Sequence, residues 1–436
     1  MKGLDKASAA AIERHLRKLT VDIGIRLAGA PTEAQAAEYL AAEFARSGAA
    51  VSVETFPVRE RAVTREELQV QVGGKWVTFP CSLFSSTPGT EGRRLEAPLC
   101  FFESETEYRR KDLSHLRGRA VVHLGCHIES RDNYRRLMAA KPAFMLFVDI
   151  RYPGSTPLAD GMFPAYTQAF GAVPTVNVAF LDAWRWKVEG ATAARLVVDG
   201  GMRPATSQNV IAELPGSDPS GGIIFFGGHH DTQANSVGAD DNAVGSVTLL
   251  EIARLLAPLP RKRTVRLISF GAEEQLSVGS AEYVRRHRGE IAKRGRFMFN
   301  LDSMGSHMGA TKAFFCGPKQ MVDYVVPFFE KAGQYVRPDT EVVPYADHFP
   351  FAAAGVPGLF MHRCNCLAGR FFHHRPDDDM TRVSCPLVAE LATCAAAVGA
   401  DLARGGTLPF PKRIPAPQAR RIKTFWDDLY GGWEGK

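Results

Sequence analysis

A stretch near the middle of the chain reads Gly222-Ile223-Ile224-Phe225-Phe226-Gly227-Gly228-His229-His230-Asp231-Thr232. Its apolar part is continuous rather than alternating, which is typical of a strand buried on both faces of a parallel sheet. Polar side chains follow at the carboxyl end of that strand, where open α/β sheets place their functional sites. In an extended His-x-Asp, His229 and Asp231 lie on one side. The carboxylate can therefore hold one imidazole nitrogen while the other nitrogen binds a metal ion.

Two later strands also end in acidic residues. The run at residues 264–270 is followed by Gly271-Ala272-Glu273-Glu274, and the run at 297–301 is followed by Asp302. Carboxyl ends of parallel strands meet at one edge of a sheet, so these anions would gather beside His229. Gathered carboxylates repel one another unless a cation compensates them. The pattern therefore favours a metal site over a purely structural role.

Two further segments can supply ligands. Asp240, Asp241 and Asn242 stand at the mouth of an apolar helix, where one of them suffices as the N-cap, so the second carboxylate calls for a cation. Residues 371–380 contain two adjacent histidines with carboxylates one turn later. Two histidines, three carboxylates and a spare glutamate together describe a pair of zinc ions with a general base.

The arrangement of segments predicts an α/β fold with two domains. From Asn209 onward, strands alternate with helices, which indicates a mostly parallel mixed sheet covered by helices on both faces. Residues 61–205 contain short β-like runs separated by turns, which indicates an inserted β-rich domain without a ligand cluster. We therefore expect a discontinuous catalytic domain over 1–60 and 206–436. The insertion at 61–205 is expected to influence access to the site rather than its chemistry.

Composition excludes several other classes of protein. The 436 residues are 45% hydrophobic and 23% charged, with a net charge of +6, as in an ordinary globular chain rather than a disordered or fibrous one. So small a charge excess makes nucleic acid an improbable main partner. Charges interrupt every apolar run near the N-terminus, which predicts a cytoplasmic protein without a membrane span. The eight cysteines include no CxxC pair and are expected to be reduced thiols.

In five motifs the chain resembles the clan MH zinc aminopeptidases, the twenty-eighth metallopeptidase family. In chain order these motifs are His229-x-Asp231, Gly238-Ala-Asp-Asp-Asn-Ala-x-Gly245, Glu273-Glu274, Asn300-x-Asp302 and His374-x-Pro-x-Asp378. The insertion resembles the protease-associated domain that many members carry. The resemblance implies two Zn²⁺ per chain and hydrolysis of N-terminal residues from short peptides or small amide substrates.

Carried over to this sequence, the resemblance also implies a role for each motif residue. His229 and Asp302 would bind one zinc ion, Glu274 and His374 the other, and Asp240 would bridge both. Asp231 would orient His229, and Glu273 would be the general base. The Asp240–Asp241 peptide would be cis, and Asp378 would return toward the imidazole of His374.

Three other functions compete with the aminopeptidase. A carboxypeptidase of the glutamate-releasing type needs cations for a substrate carboxylate, and Arg363, Arg370 and Arg375 lie close to the last ligand in sequence. Glutaminyl cyclases share the sheet but use one zinc ion, which the full ligand set argues against. A receptor-like scaffold with decayed ligands is the least favoured, because every ligand and Glu273 are present.

Overall fold

The computed structural model describes residues 4–125, 127–128, 130–366 and 369–435. It contains two compact units. Unit 1 comprises Met1–Val58, Ala205–Phe372 and Pro376–Trp426, and unit 2 comprises Arg59–Pro204, His373–Arg375 and Asp427–Lys436. Two short segments from the predicted catalytic region, 373–375 and 427–436, therefore belong to unit 2.

The strands are β1 (Ala50–Val72), β2 (Lys75–Phe79), β3 (Cys81–Leu83), β4 (Leu95–Glu103), β5 (Ala120–Gly125), β6 (Phe144–Asp149), β7 (Thr175–Val178), β8 (Ala193–Leu214), β9 (Ile223–His229), β10 (Thr264–Phe270), β11 (Gly295–Leu301), β12 (Ala310–Cys316), β13 (Val336–Asp339) and β14 (Gly358–Cys364). The helices are α1 (Ala9–Arg17), α2 (Pro31–Arg46), α3 (Ser104–Glu107), α4 (Arg131–Ala139), α5 (Pro164–Phe170), α6 (Phe180–Val188), α7 (Val244–Leu256), α8 (Val278–Arg286), α9 (Arg288–Arg294), α10 (Lys319–Glu330), α11 (His348–Ala353), α12 (Cys385–Ala403) and α13 (Ala416–Leu429).

Unit 1 is built on a mixed sheet with the order β13-β12-β14-β11-β9-β10-β8. Strands β14, β11, β9 and β10 run parallel, whereas β12 pairs antiparallel with β14 and β8 pairs antiparallel with β10. In the register of the central strands, Phe270 of β10 pairs with His229 of β9. The parallel strands therefore end at one edge of the sheet, as the sequence predicts.

Helices cover both faces of this sheet. Ile224 and Phe226 of β9 point into a core shared with α7 and α12. The intervening Phe225 faces the other side, where its ring centroid lies 5.0 Å from that of Phe351 on α11. This alternation explains the unbroken apolar run of β9, since both sides of the strand are buried.

Helix α12 is long and apolar enough to cross a membrane by length and composition. However, 61% of its most apolar segment is buried inside the protein. Val388, Leu391 and Ala395 of this helix belong to the core of unit 1. These are the features of a core helix. Seven cysteines lie among the described residues and form no disulfide, and only Cys316 and Cys394 of these are fully buried; Cys126 lies outside the described residues.

Unit 2 has a parallel sheet of its own. Strands β4, β5, β6 and β7 run parallel in that order, with β3 antiparallel to β7. Strand β5, helix α4 and strand β6 follow one another along the chain and form a strand-helix-strand unit. Trp186 of α6 is fully buried in the core of this unit, together with Leu146 of β6.

Candidate metal centre

The candidate metal centre surrounds His229 at the end of β9. One ligand atom each from His229, Asp241 and Glu274 lie within 4.8 Å of one another. The Nε2 atom of His229 is 3.7 Å from a carboxylate oxygen of Asp302 and 3.7 Å from one of Glu273. Unit 1 thus brings together residues that are more than 70 positions apart in the sequence.

Asp231 lies beside the histidine, and its backbone carbonyl oxygen is 3.2 Å from Nδ1 of His229. Its Oδ1 lies 3.3 Å from Nδ1 of His229. The same carboxylate also accepts hydrogen bonds from the backbone N–H groups of Glu273 at 2.9 Å and Glu274 at 3.2 Å. Asp231 therefore fixes the two glutamates as well as the imidazole.

The structure places Asp241, and not Asp240, beside the histidine. Oδ1 of Asp241 lies 3.4 Å from Nε2 of His229. Oδ1 of Asp240 instead accepts a 2.7 Å hydrogen bond from the N–H of Gly305. The cis peptide bond joins Asp241 to Asn242, one residue later than predicted. In the function proposed below, Asp241 therefore takes the bridging position that the sequence assigns to Asp240. Two adjacent aspartates carry no signal in the sequence that separates the two registers.

The turn that presents these aspartates is held from three sides. The two oxygens of Asp378 accept the N–H groups of Asp240 at 2.9 Å and Asp241 at 3.0 Å. This is a different role from the predicted return toward the imidazole of His374. Gly238 has φ +53°, and a Cβ there would lie 2.1 Å from the carbonyl oxygen of Asp241. Nη2 of Arg370 donates to Oδ2 of Asp241 at 2.7 Å.

The electrostatics of the cluster call for a cation. Burial by itself lowers the pKa of His229, but the carboxylates of Glu273, Asp231, Asp241 and Asp302 outweigh it and raise the pKa well above the usual value. Burial also raises the pKa of the Glu273 carboxyl well above its usual value, and the charges of Asp347 and Asp302 add to the rise. Metal binding needs a neutral imidazole and ionised carboxylates, so an ion bound here would displace protons.

The donor set fits zinc. Nε2 of His229 is buried and makes no hydrogen bond within the described part of the chain. Carboxylate oxygens surround this atom, and imidazole nitrogen with carboxylate oxygen is a ligand set that zinc accepts. We assign Asp241 and Glu274 as further donors because their ligand atoms lie in the same cluster.

Two buried residues near the N-terminus, Arg26 and Glu33, hold the loops around the centre. Nε of Arg26 donates to the carbonyl of His230 at 2.7 Å, and its Nη1 donates to that of Val237 at 2.8 Å. Oε1 of Glu33 accepts the hydroxyl of Ser207 at 2.6 Å and the N–H of Ala272 at 3.3 Å. Neither residue belongs to one of the five motifs, so the sequence carries no signal for its role.

Asp347 is a third residue whose position the sequence did not assign. It is fully buried, and neither carboxylate oxygen makes a regular hydrogen bond within the described ranges. Burial raises its pKa to about 7, and the charge of Asp302 adds to the rise. Asp347 thus enlarges the group of anions that a bound cation would compensate.

His374 belongs to unit 2. Its backbone has φ +53°, and its carbonyl accepts the N–H of Ala159 at 3.1 Å. The rings of His373 and His374 stack with their centroids 3.5 Å apart. The assignment of His374 to a zinc ion stays a prediction.

Comparison with known proteins points to one family. A family model described as Peptidase family M28 matches residues 209–399, which include every proposed ligand. Aminopeptidase YwaD of Bacillus subtilis (strain 168) is 25% identical over 382 residues, covering 85% of this chain and 79% of that protein. Carboxypeptidase Q of Rattus norvegicus is 28% identical over 228 residues, covering 50% and 47%.

A solved zinc aminopeptidase from Bacillus subtilis, named BSAP, has a similar fold. The TM-score is 0.74 at 20% sequence identity, over 94% of this chain and 98% of that one. This match confirms the predicted fold class, a mixed α/β sheet with helices. The family match and the relatives confirm the prediction of a peptidase.

Proposed function

We propose that the chain is a di-zinc aminopeptidase that releases N-terminal residues from short peptides. The observation that carries the proposal is the gathering of His229, Asp241, Glu274 and Asp302 at one sheet edge with Glu273 beside them. The similarity to an aminopeptidase over most of both chains supports the direction of cleavage.

In this proposal Asp241 would be a ligand shared by two zinc ions. His229 and Asp302 would hold one of the ions with it, and Glu274 and His374 would hold the other. Bound zinc supplies a Lewis acid that polarises the scissile carbonyl and lowers the pKa of water. Asp231 keeps Nδ1 of His229 engaged, so that Nε2 is the nitrogen that faces the metal.

Glu273 is the proposed general base. Its N–H is fixed by Asp231, and its Oε1 accepts the hydroxyl of Ser277 at 3.1 Å. Burial raises the pKa of its carboxyl, which makes the carboxylate a stronger proton acceptor. It would take a proton from the attacking water and pass it to the leaving amine.

The three arginines that a carboxypeptidase could use to hold a substrate carboxylate already bind other groups of the protein. Arg363 donates to the carbonyl of Ser306 at 2.7 Å, and Arg375 donates to that of Tyr152 at 2.8 Å. Arg370 is paired with Asp241. A substrate carboxylate is best held by a guanidinium with two parallel N–H groups to offer. These engagements therefore favour an aminopeptidase.

The similarity to carboxypeptidase Q keeps a carboxypeptidase as the second candidate. One experiment separates the two. Zinc-loaded enzyme is incubated with one peptide sequence in three forms: free at both ends, N-acetylated, and C-amidated. Mass spectrometry then shows which end shortens. The aminopeptidase proposal predicts that N-acetylation protects the peptide and that amidation does not, and the reverse pattern would establish the second candidate.

We also propose that the insertion at 61–205 is a protease-associated-like domain. The parallel strands β4, β5, β6 and β7 and the connecting helix α4 support this assignment.

A further inference from the structure

Unit 1 has a cleft of about 610 Å³ at the sheet edge opposite the candidate metal centre. Its lining includes Gly221, Arg263 and Arg296, which precede or begin β9, β10 and β11. The proposed metal ligands lie at the other ends of the same strands. A strand of seven residues such as β9 spans roughly 20 Å, so the two sites are distinct.

The cleft gathers cations without matching carboxylates. Arg263, Arg296 and Lys412 line it, and none of the three has a carboxylate oxygen within 4 Å among the described residues. One acidic residue, Asp218, is also in the lining. Its Oδ1 accepts the N–H and the hydroxyl of Ser220 at 2.8 and 2.7 Å. The cleft therefore has an excess of positive charge.

Backbone carbonyls hold these cations in place. Each nitrogen of the Arg263 guanidinium donates to a backbone carbonyl: Nε to Gly221 at 3.0 Å, Nη1 to Leu402 at 2.5 Å, and Nη2 to Gly406. Nζ of Lys412 donates to Ala292 at 2.6 Å. Nη1 of Arg296 donates to Lys293 at 2.9 Å, whereas its Nε and Nη2 meet no acceptor in the described part of the protein. Gly222, at φ +97°, lets Arg296 lie against the backbone, since a Cβ there would be 2.7 Å from Nε. The cations are thus positioned before any ligand arrives.

The cations also act unfavourably on one another. Burial lowers the pKa of Lys412 and of Arg263, and in each case the charge of Arg296 lowers it further. Like charges brought together in a partly desolvated cleft are relieved by an anion.

We propose that this cleft binds a phosphate-bearing anion. The charge of two guanidinium groups and one ammonium group balances a phosphate dianion, with Arg263 contributing charge alone because its nitrogens are engaged with backbone carbonyls. Arg296 supplies the N–H fork, through Nε and Nη2. The cleft is larger than an inorganic ion requires and has the size of a small-molecule site. The site is independent of the peptidase function proposed above.

The test is calorimetric titration of the zinc-loaded enzyme with inorganic phosphate and with pyrophosphate, at an ionic strength held constant with chloride. The wild-type chain should bind saturably. Arg296→Gln and Lys412→Gln should each weaken binding about tenfold or more, because each removes charge-assisted hydrogen bonds. Lys293→Gln removes the same charge from an exposed position near the cleft, and should change the affinity less than twofold.

Thermal unfolding and peptidase rate without phosphate establish that the variants are folded. If Arg296→Gln fails this check, Lys412→Gln carries the test. Vesicles of phosphatidic acid in phosphatidylcholine, against phosphatidylcholine alone, distinguish a lipid headgroup from a soluble anion. Absence of saturable binding to either source overturns the proposal. Binding that is undiminished in the variants also overturns it, because that anion would sit elsewhere, for example at the zinc ions.

Discussion

Asp241 lies between two basic side chains. Its Oδ1 is 3.4 Å from Nε2 of His229, and its Oδ2 is 2.7 Å from Nη2 of Arg370. Asp240 has a backbone N–H as its partner and one buried oxygen without a hydrogen bond among the described residues. The two adjacent aspartates therefore have different surroundings: an oxygen of Asp241 lies beside His229, whereas an oxygen of Asp240 accepts the N–H of Gly305.

Asp241→Asn should therefore lose zinc, whereas Asp240→Asn should retain it. Asparagine keeps the shape of the side chain but removes its negative charge. At position 240, the amide oxygen of the asparagine can still accept the hydrogen bond from the N–H of Gly305. Metal analysis of dialysed protein checks this. If the Asp240 variant loses zinc and the Asp241 variant keeps it, Asp240 is the bridging ligand, as the sequence predicts.

His374 and His373 form a second matched pair. The family pattern starts at His374, with Pro376 two residues later. We predict that His374→Ala lowers zinc occupancy toward one ion per chain and abolishes turnover, while His373→Ala keeps both ions and substantial turnover. The opposite result in a zinc assay would place the ligand one residue earlier.

The location of a site residue was predictable from the sequence where a histidine or a carboxylate follows or ends a strand. This holds for His229, Glu273, Glu274 and Asp302. It was not predictable for Asp347 or Arg370. Their proximity to the centre depends on chain segments that meet only in the folded sheet, and neither stands in a repeated polar pattern.

Side chains from the N-terminal segment bind the loops that follow strands β9 and β10. Glu33 on α2 accepts three donors: the N–H groups of Gly29 and Ala272 and the hydroxyl of Ser207. Ala272 precedes the proposed base and has φ +52°. Glu33 therefore fixes the backbone from which Glu273 extends.

Glu33→Ala should destabilise the enzyme by about 3 kcal/mol or more, because each buried donor left without an acceptor costs about 1–3 kcal/mol. Glu38→Ala is the control, since Glu38 lies on the same helix and is exposed. Urea unfolding followed by circular dichroism measures both. Equal stability of the two variants would mean that Glu33 does not hold the loop.

The central strands were predictable because β9, β10 and β11 are continuous apolar runs. Strands β12 and β13 were not predicted. Residues 336–339 read Val-Arg-Pro-Asp, which contains a proline and no apolar run, and this strand is defined by its pairing with β12 at the sheet edge. Helix α11 spans six residues and contains a proline, so its sequence carries little helical periodicity.

At the scale of the whole molecule, the buried carboxylates of the cluster lie in unit 1, and unit 2 has a separate apolar core. Removing zinc leaves these carboxylates to repel one another, and a ligand that binds only the folded state stabilises it. Chelation should therefore loosen unit 1 and leave the core of unit 2 unchanged.

Hydrogen exchange read by mass spectrometry measures this difference. After EDTA treatment, peptides covering 229–245 and 270–280 should exchange faster, and peptides covering β5 and β6 should not. Addition of zinc should reverse the change. An equal increase in both units would show that the metal stabilises the chain as one cooperative body.

The most direct test of the proposed mechanism combines turnover with zinc content in Glu273→Gln. Glutamine keeps the shape of the side chain but cannot accept a proton from water, so turnover should fall on the order of a hundredfold or more. Zinc should stay near two ions per chain, whereas Glu274→Gln should lose zinc. A Glu273→Gln enzyme that loses zinc would contradict the account, because Glu273 would then be a ligand. A variant that keeps wild-type turnover would contradict it as well.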